Sequence, residues 1–128
     1  MEKQSSETPN ASAVADALRH NRDKAQILNV QGYQHLVIGE PETALTFFQQ
    51  AMLLAPENVV ILNNLGNSLV QLGRLDEATD AYTQAIDADP TYPRPYANLA
   101  LLHQMANDTE TAIELYQQYL TLVPDDAA

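Results

Sequence analysis

The chain is short of several things, and each shortage excludes a class of protein. Its 128 residues contain no cysteine, so there is neither a disulfide framework nor a thiolate metal site. There is no tryptophan, and aromatic residues make up only 6% of the chain. No apolar run approaches the ~18–20 residues that a membrane-spanning helix needs. The opening segment MEKQSSETPN is polar and lacks the apolar core of a secretory signal. Basic residues are the scarcest functional type: six Lys and Arg stand against seventeen Asp and Glu, a formal net charge of −11. The imbalance is local. Residues 1–24 hold Lys3, Arg19, Arg22 and Lys24 against Glu2, Glu7, Asp16 and Asp23, whereas residues 25–128 hold only Arg74 and Arg94 against thirteen acids. Phosphate backbones reward clustered Lys and Arg, and an anionic membrane surface repels an acidic body. Nucleic acid and membrane are therefore not expected partners, and basic or neutral proteins fit better.

Apolar residues are plentiful, at 45%, and they are arranged with a period. Shifted by 34 positions, Gly32 lands on Gly66 and Ala100, Ala44 on Ala78 and Ala112, and Phe48 on Tyr82 and Tyr116. Leu28 lands on Leu62 and Tyr96, and Pro56 on Pro90 and Pro124. Self-similarity at this spacing is the mark of stacked supersecondary units. Each unit reads as two helices. In the second, Leu62, Leu65, Leu69 and Leu72 form an amphipathic stripe over residues 59–72. Gly73 supplies a left-handed stop, Asp76 and Glu77 suit the positive end of a helix beginning near Leu75, and Pro90 bars its extension. In the first unit GEPE makes the same turn, with Pro41 in the first helical turn. In the third, Asn107 replaces glycine at the stop and Asp108 is the expected N-cap. Gly66 and Ala78 are small where the two helices of a unit face each other, and Phe48, Tyr82 and Tyr116 are expected between neighbouring units. A hairpin alone cannot cover its apolar face, so the units must stack.

The arrangement resembles the tetratricopeptide repeat family. The second unit carries the match through Leu62, Leu65, Gly66, Leu69, Ala78, Tyr82, Ala85 and Pro90, and the first through Leu28, Gly32, Ala44, Phe48, Ala51 and Pro56. The third matches through Tyr96, Leu99, Ala100, Ala112, Tyr116 and Pro124, and departs at Tyr119, where the family prefers alanine. The resemblance implies an all-α, right-handed superhelical solenoid of three helix-turn-helix repeats, at 25–58, 59–92 and 93–126. Residues 11–24, with Ala11, Val14, Ala15 and Leu18 at helical spacing, are expected as a separate capping helix, and residues 1–10 as a disordered tail.

The resemblance also implies that the first helix of each repeat lines a concave groove that takes an extended peptide or a partner helix. The face opposite the leucine stripe carries a surplus of asparagine, a poor helix former. The groove is expected to be lined by Asn29, Tyr33, Asn63, Asn64, Asn67, Arg94, Asn98 and Leu101. Asn29 with Asn63, and Asn64 with Asn98, are one period apart and are expected to align as ladders, their amides offering donor and acceptor together. The alternative is that asparagine there only bridges adjacent helices. Co-chaperone members of the family hold chaperone C-termini in a carboxylate clamp of Lys and Asn on the first such helix, Asn on the second, and Lys and Arg on the third. Here those places hold Asn29, Tyr33, Asn64, Arg94 and Asn98; only Asn64 matches, and Arg94 is a partial substitute.

No catalytic, cofactor or metal site is expected: no nucleophile–base set, phosphate loop or metal-ligand spacing is present. His35 and His103, two periods apart, read as helix-packing residues. The last helix, TAIELYQQYLTLV, is more apolar than its counterpart in the second repeat, and Ile113, Leu115, Tyr119 and Leu122 are expected to form an open apolar end. The reading is of a non-enzymatic, cytoplasmic protein-interaction module without cofactor. The alternative is a homo-oligomeric scaffold that associates through that end.

Overall fold

Asn10 opens the first helix: its side chain accepts the Ala13 amide at 2.7 Å, a standard N-cap. The structure, a computed structural model, describes residues 10–124, so the expected tail, apart from Asn10, lies outside the described residues. Among these there are six helices and no strand: α1 Ala11–Val37, α2 Pro41–Leu54, α3 Val59–Gln71, α4 Leu75–Ala88, α5 Arg94–Met105 and α6 Thr109–Leu122. They pair as three hairpins, α1 with α2, α3 with α4 and α5 with α6, and the second helix of each hairpin packs on the first helix of the next. The result is an all-α solenoid.

The turns follow the residues that permit them. Gly39 and Gly73 sit at φ +84° and +75°, and Asn107, the substitute in the third hairpin, at φ +63°. Asn58 caps α3 by accepting the amides of Val60 and Ile61, and Asp108 caps α6 through the Thr111 amide.

Residues 11–24 do not form a separate cap. They are the first half of α1, which runs unbroken for 27 residues. The first glycine or proline after Pro9 is Gly32, so nothing in the sequence ends a helix at residue 24; the expected break came from the period alone. Residues 11–20 are exposed throughout, and burial begins only where α2 lies alongside, at Ala25.

The core is a row of rings set against glycines. Phe48 and Tyr82 are 0% and 1% exposed. A methyl group placed on Gly32 would come within 2.6 Å of the Phe48 ring, and one on Gly66 within 2.5 Å of the Tyr82 ring. Each ring thus lies over the glycine of its own hairpin and also joins clusters that reach the next, Phe48 with Ile61 and Tyr82 with Leu99. In the third hairpin the column holds Ala100, and Tyr116 is only half-buried, its hydroxyl bonded to Gln104.

Candidate functional site

The first helices of the hairpins, α1, α3 and α5, touch one another sparsely, and asparagines make the direct polar links. Asn64 Nδ2 donates to Asn29 Oδ1 at 3.0 Å, and Asn98 Nδ2 donates to Asn63 Oδ1 at 2.9 Å. The expected ladders, Asn29 with Asn63 and Asn64 with Asn98, do not form; each bond joins residues 35 apart in sequence rather than 34. Repeat-equivalent side chains project in the same direction, so they cannot face each other. A bond between neighbouring helices must join two different helical positions.

That requirement explains why two asparagines stand side by side at 63–64. On α3 the Asn63 side chain reaches forward to α5 and the Asn64 side chain back to α1. The middle helix has neighbours on both sides and needs both types. Helix α1 keeps only the forward type, Asn29, with Val30 in the other place; α5 keeps only the backward type, Asn98, with Ala97 in the other. Asn63 is therefore not a groove residue: it is 2% exposed, and Asn29 and Asn64 are also buried at 6% and 9%. Asn67 is partly engaged as well, accepting the Tyr82 hydroxyl at 2.5 Å. Burial raises the pKa of that hydroxyl well above the ordinary tyrosine value, so it remains a donor. Among the described residues no buried side-chain nitrogen or oxygen lacks a hydrogen-bond partner.

The surface above these bridges holds two hollows. One, of about 680 Å³, is lined by Asn29, Val30, Tyr33, Gln34, Val60, Asn64, Tyr92 and Arg94. The other, of about 310 Å³, is lined by residues that include Val37, Asn67, Gln71, Asn98 and Leu101. The structure thus gathers Tyr33, Arg94, Asn67, Asn98 and Leu101 on one side of the stack, with Asn29 and Asn64 as its floor. Among the described residues Arg94 is the one charged residue lining either hollow. The acidity of the chain lies elsewhere, so the net charge does not dictate the partner's charge at this surface. Tyr92 and Val30 line the same hollow as Tyr33 and Arg94, and the helical pattern of the sequence does not point to them. Tyr92 precedes α5 in a turn, outside the helical stripes, although its place two residues before Arg94 was a usable signal.

The histidines lie at the hairpin turns. His35 Nδ1 lies 2.6 Å from Glu40 Oε1, and His103 Nδ1 lies 3.1 Å from Asp108 Oδ2. Each pair spans the turn of its hairpin, and both rings are half-buried. His35 also stacks on Phe47, with ring centroids 5.3 Å apart. Among the described residues no three His, Asp or Glu converge as metal ligands, and no helix is long and apolar enough to cross a membrane.

At the far end, Ile113 is exposed, and Tyr119 and Leu122 are half-buried. Leu115 does not belong to that face. It packs inward on the cluster of Leu69, Leu99 and Leu102, because it lies on the stripe of α6 that faces its own hairpin. Leu120, missed in the sequence, is the most exposed apolar residue of α6.

Comparison with known proteins agrees with this architecture. The family model described as TPR repeat matches residues 66–106, and that described as Tetratricopeptide repeat matches residues 98–126. The small glutamine-rich tetratricopeptide repeat-containing protein 2 of Saccharomyces cerevisiae is 28% identical over 104 residues, 81% of this chain and 30% of that protein. The TPR repeat-containing thioredoxin TTL4 of Arabidopsis thaliana is 34% identical over 74 residues, 58% of this chain and 11% of that protein. The chain thus spans less than a third of the length of these relatives. Among solved structures, the second TPR of Spaghetti (RPAP3), bound to an HSP90 peptide, superposes with a TM-score of 0.79 at 18% identity, covering 84% of this chain and 99% of that one. The Sgt2 TPR domain from Aspergillus fumigatus gives 0.73 at 23% identity, over 77% of this chain and 65% of that one. With its paired helices, its glycine-seated rings and these matches, the chain belongs to the tetratricopeptide repeat family.

Proposed function

We propose that the chain is a non-enzymatic interaction module that holds an extended peptide along the surface formed by α1, α3 and α5. The observation that carries this reading is the lining of the two hollows. Exposed Tyr33, Val37 and Leu101 stand beside the part-exposed amides of Asn67 and Asn98, with Arg94 as the single charge. Such a surface suits a segment that presents apolar side chains and one carboxylate, its main chain meeting the amide edges. The neighbour seen with the HSP90 peptide SRMEEVD supports peptide capture by this fold. The acidic tail of that peptide is not the occupant favoured here. Asn29, Tyr33 and Asn98 occupy three of the clamp positions, so Arg94 alone would face several negative charges. The absence of cysteine is compatible with the reducing cytoplasm that this reading takes as its setting.

The test is selection from a random peptide display library on the full chain, with a Tyr33→Ala/Leu101→Ala variant as counter-selection. Both side chains are about half exposed, so their removal spares the core. Enrichment of apolar peptides that lose binding to the variant, with SRMEEVD binding weakly or not at all, supports the reading. Equal recovery on both proteins overturns it.

A further inference from the structure

Helix α6 leaves open an apolar face that the other second helices of the hairpins cover. Ile113 and Leu120 are 50% and 66% exposed. They stand two repeats beyond Leu45 and Met52, and one beyond Thr79 and Ile86. In α2 this face receives the next hairpin: Leu45 is buried in the cluster with Leu69 and Ala81, and Met52 packs against the cluster that includes Ile61. The open face on α6 therefore continues an interface already formed twice within the chain.

Two features set this face apart from the internal interfaces. Tyr119 stands in the column of Ala51 and Ala85, both wholly buried, so α6 carries a ring where the internal interfaces hold only a methyl group. Ala97 stands where Asn29 and Asn63 accept an amide bond, so the inter-hairpin link has no acceptor. The opposite end of the stack is a poor mate as well. Helix α1 presents Val30 in the donor column of Asn64 and Asn98, and Gln31 where α3 and α5 have Leu65 and Leu99.

We propose that the α6 face is the docking site of a second copy of this chain, the two α6 helices crossing antiparallel about a two-fold axis. The face is self-complementary. Ile113 and Leu120 are two helical turns apart, so an antiparallel pair centred between them sets each Ile113 against the other copy's Leu120. The same arrangement sets the two copies of Glu110 about 20 Å apart along the pair, whereas parallel helices would bring them side by side. An isologous contact of this kind closes at two copies. Like net charge opposes the association at long range, and salt screens it.

Sedimentation velocity of the full chain over a wide concentration series tests the proposal. The expected result is a rise from one copy to two and no further, favoured by added salt. Leu120→Glu or Ile113→Glu is expected to hold the chain at one copy with its circular dichroism unchanged, since both residues lie outside the core. Ile27→Glu, on the exposed outer face of α1, is expected to leave the dimer intact. A chain that stays monomeric throughout overturns the proposal, as does a dimer that survives both α6 changes. Growth beyond two copies, or loss of the dimer in Ile27→Glu, would indicate end-to-end stacking instead and overturns it equally. Peptide capture in the groove does not enter these readouts.

Discussion

The asparagines show what one residue type does when a helix must serve two neighbours. Among the described residues Asn64 is the only donor to the buried Asn29 amide oxygen, and Asn64→Ala orphans it, which costs about 1–3 kcal/mol for a buried polar group. Asn29→Ala should cost a similar amount, and the double variant distinctly less than the sum; urea denaturation of the four proteins measures this. Consequently, Asn64→Ala cannot serve as a clean probe of ligand binding. Glycine tells a related story. Alanine is favoured over glycine within a helix by about 1 kcal/mol, yet Gly66→Ala would push a methyl group into the Tyr82 ring. Overpacking of that kind costs about 1–3 kcal/mol, so a net loss in the denaturation midpoint is expected. The glycine column was legible in the sequence as a place for small residues. The asparagine pairing was not, because a linear period aligns equivalent positions while a bond needs facing ones.

Helix ends and turns follow most directly from the residues that make them. Gly73, Asn107 and Asp108 each announce a stop or a cap by their own chemistry, and each takes that part. Where the sequence carried no breaker, as at residue 24, the period misplaced a boundary. Leu115 was assigned to the wrong face because apolarity alone does not say which side of a helix is turned inward. Asn58→Ala strips α3 of a cap that accepts two amides and should cost about 1 kcal/mol, visible in thermal unfolding. The helix ends also set a response to acid. Bonds to Thr111 hold Asp108 below its ordinary value, Arg74 does so for Glu77, and Thr91 for Asp89. A carboxylate whose folded pKa is depressed stabilises the fold above its unfolded pKa, and that contribution disappears as pH falls through the folded one. The urea midpoint is therefore expected to fall on acidification below the normal carboxylate range, and less steeply in Asp108→Asn.

Over the whole molecule, burial is uneven. Helix α3 contributes seven buried residues and α6 only one, Ala112. A solenoid opens from its weakest contacts, so amide exchange in dilute solution should be slowest in α3 and α4 and fastest in α6 and the outer half of α1. Uniform protection across the six helices would contradict this ordering. Stacking itself was readable from the repeat, since hairpins with one bare side have no other solution. The composition of the groove was only half readable, because Tyr92 enters from a connection that the helical pattern does not cover.

The unbroken α1 has one more consequence. Its outer ten residues, 11–20, are exposed throughout and extend about 15 Å at 1.5 Å each. A free peptide of that length is barely helical in water, because starting a helix is what costs most. Here the start is already made by the half that lies against α2, and each outward turn only prolongs it. The projection is a mast stepped in the stack: warming should unwind it from its tip inward, shortening its reach turn by turn while the hairpins below stay closed.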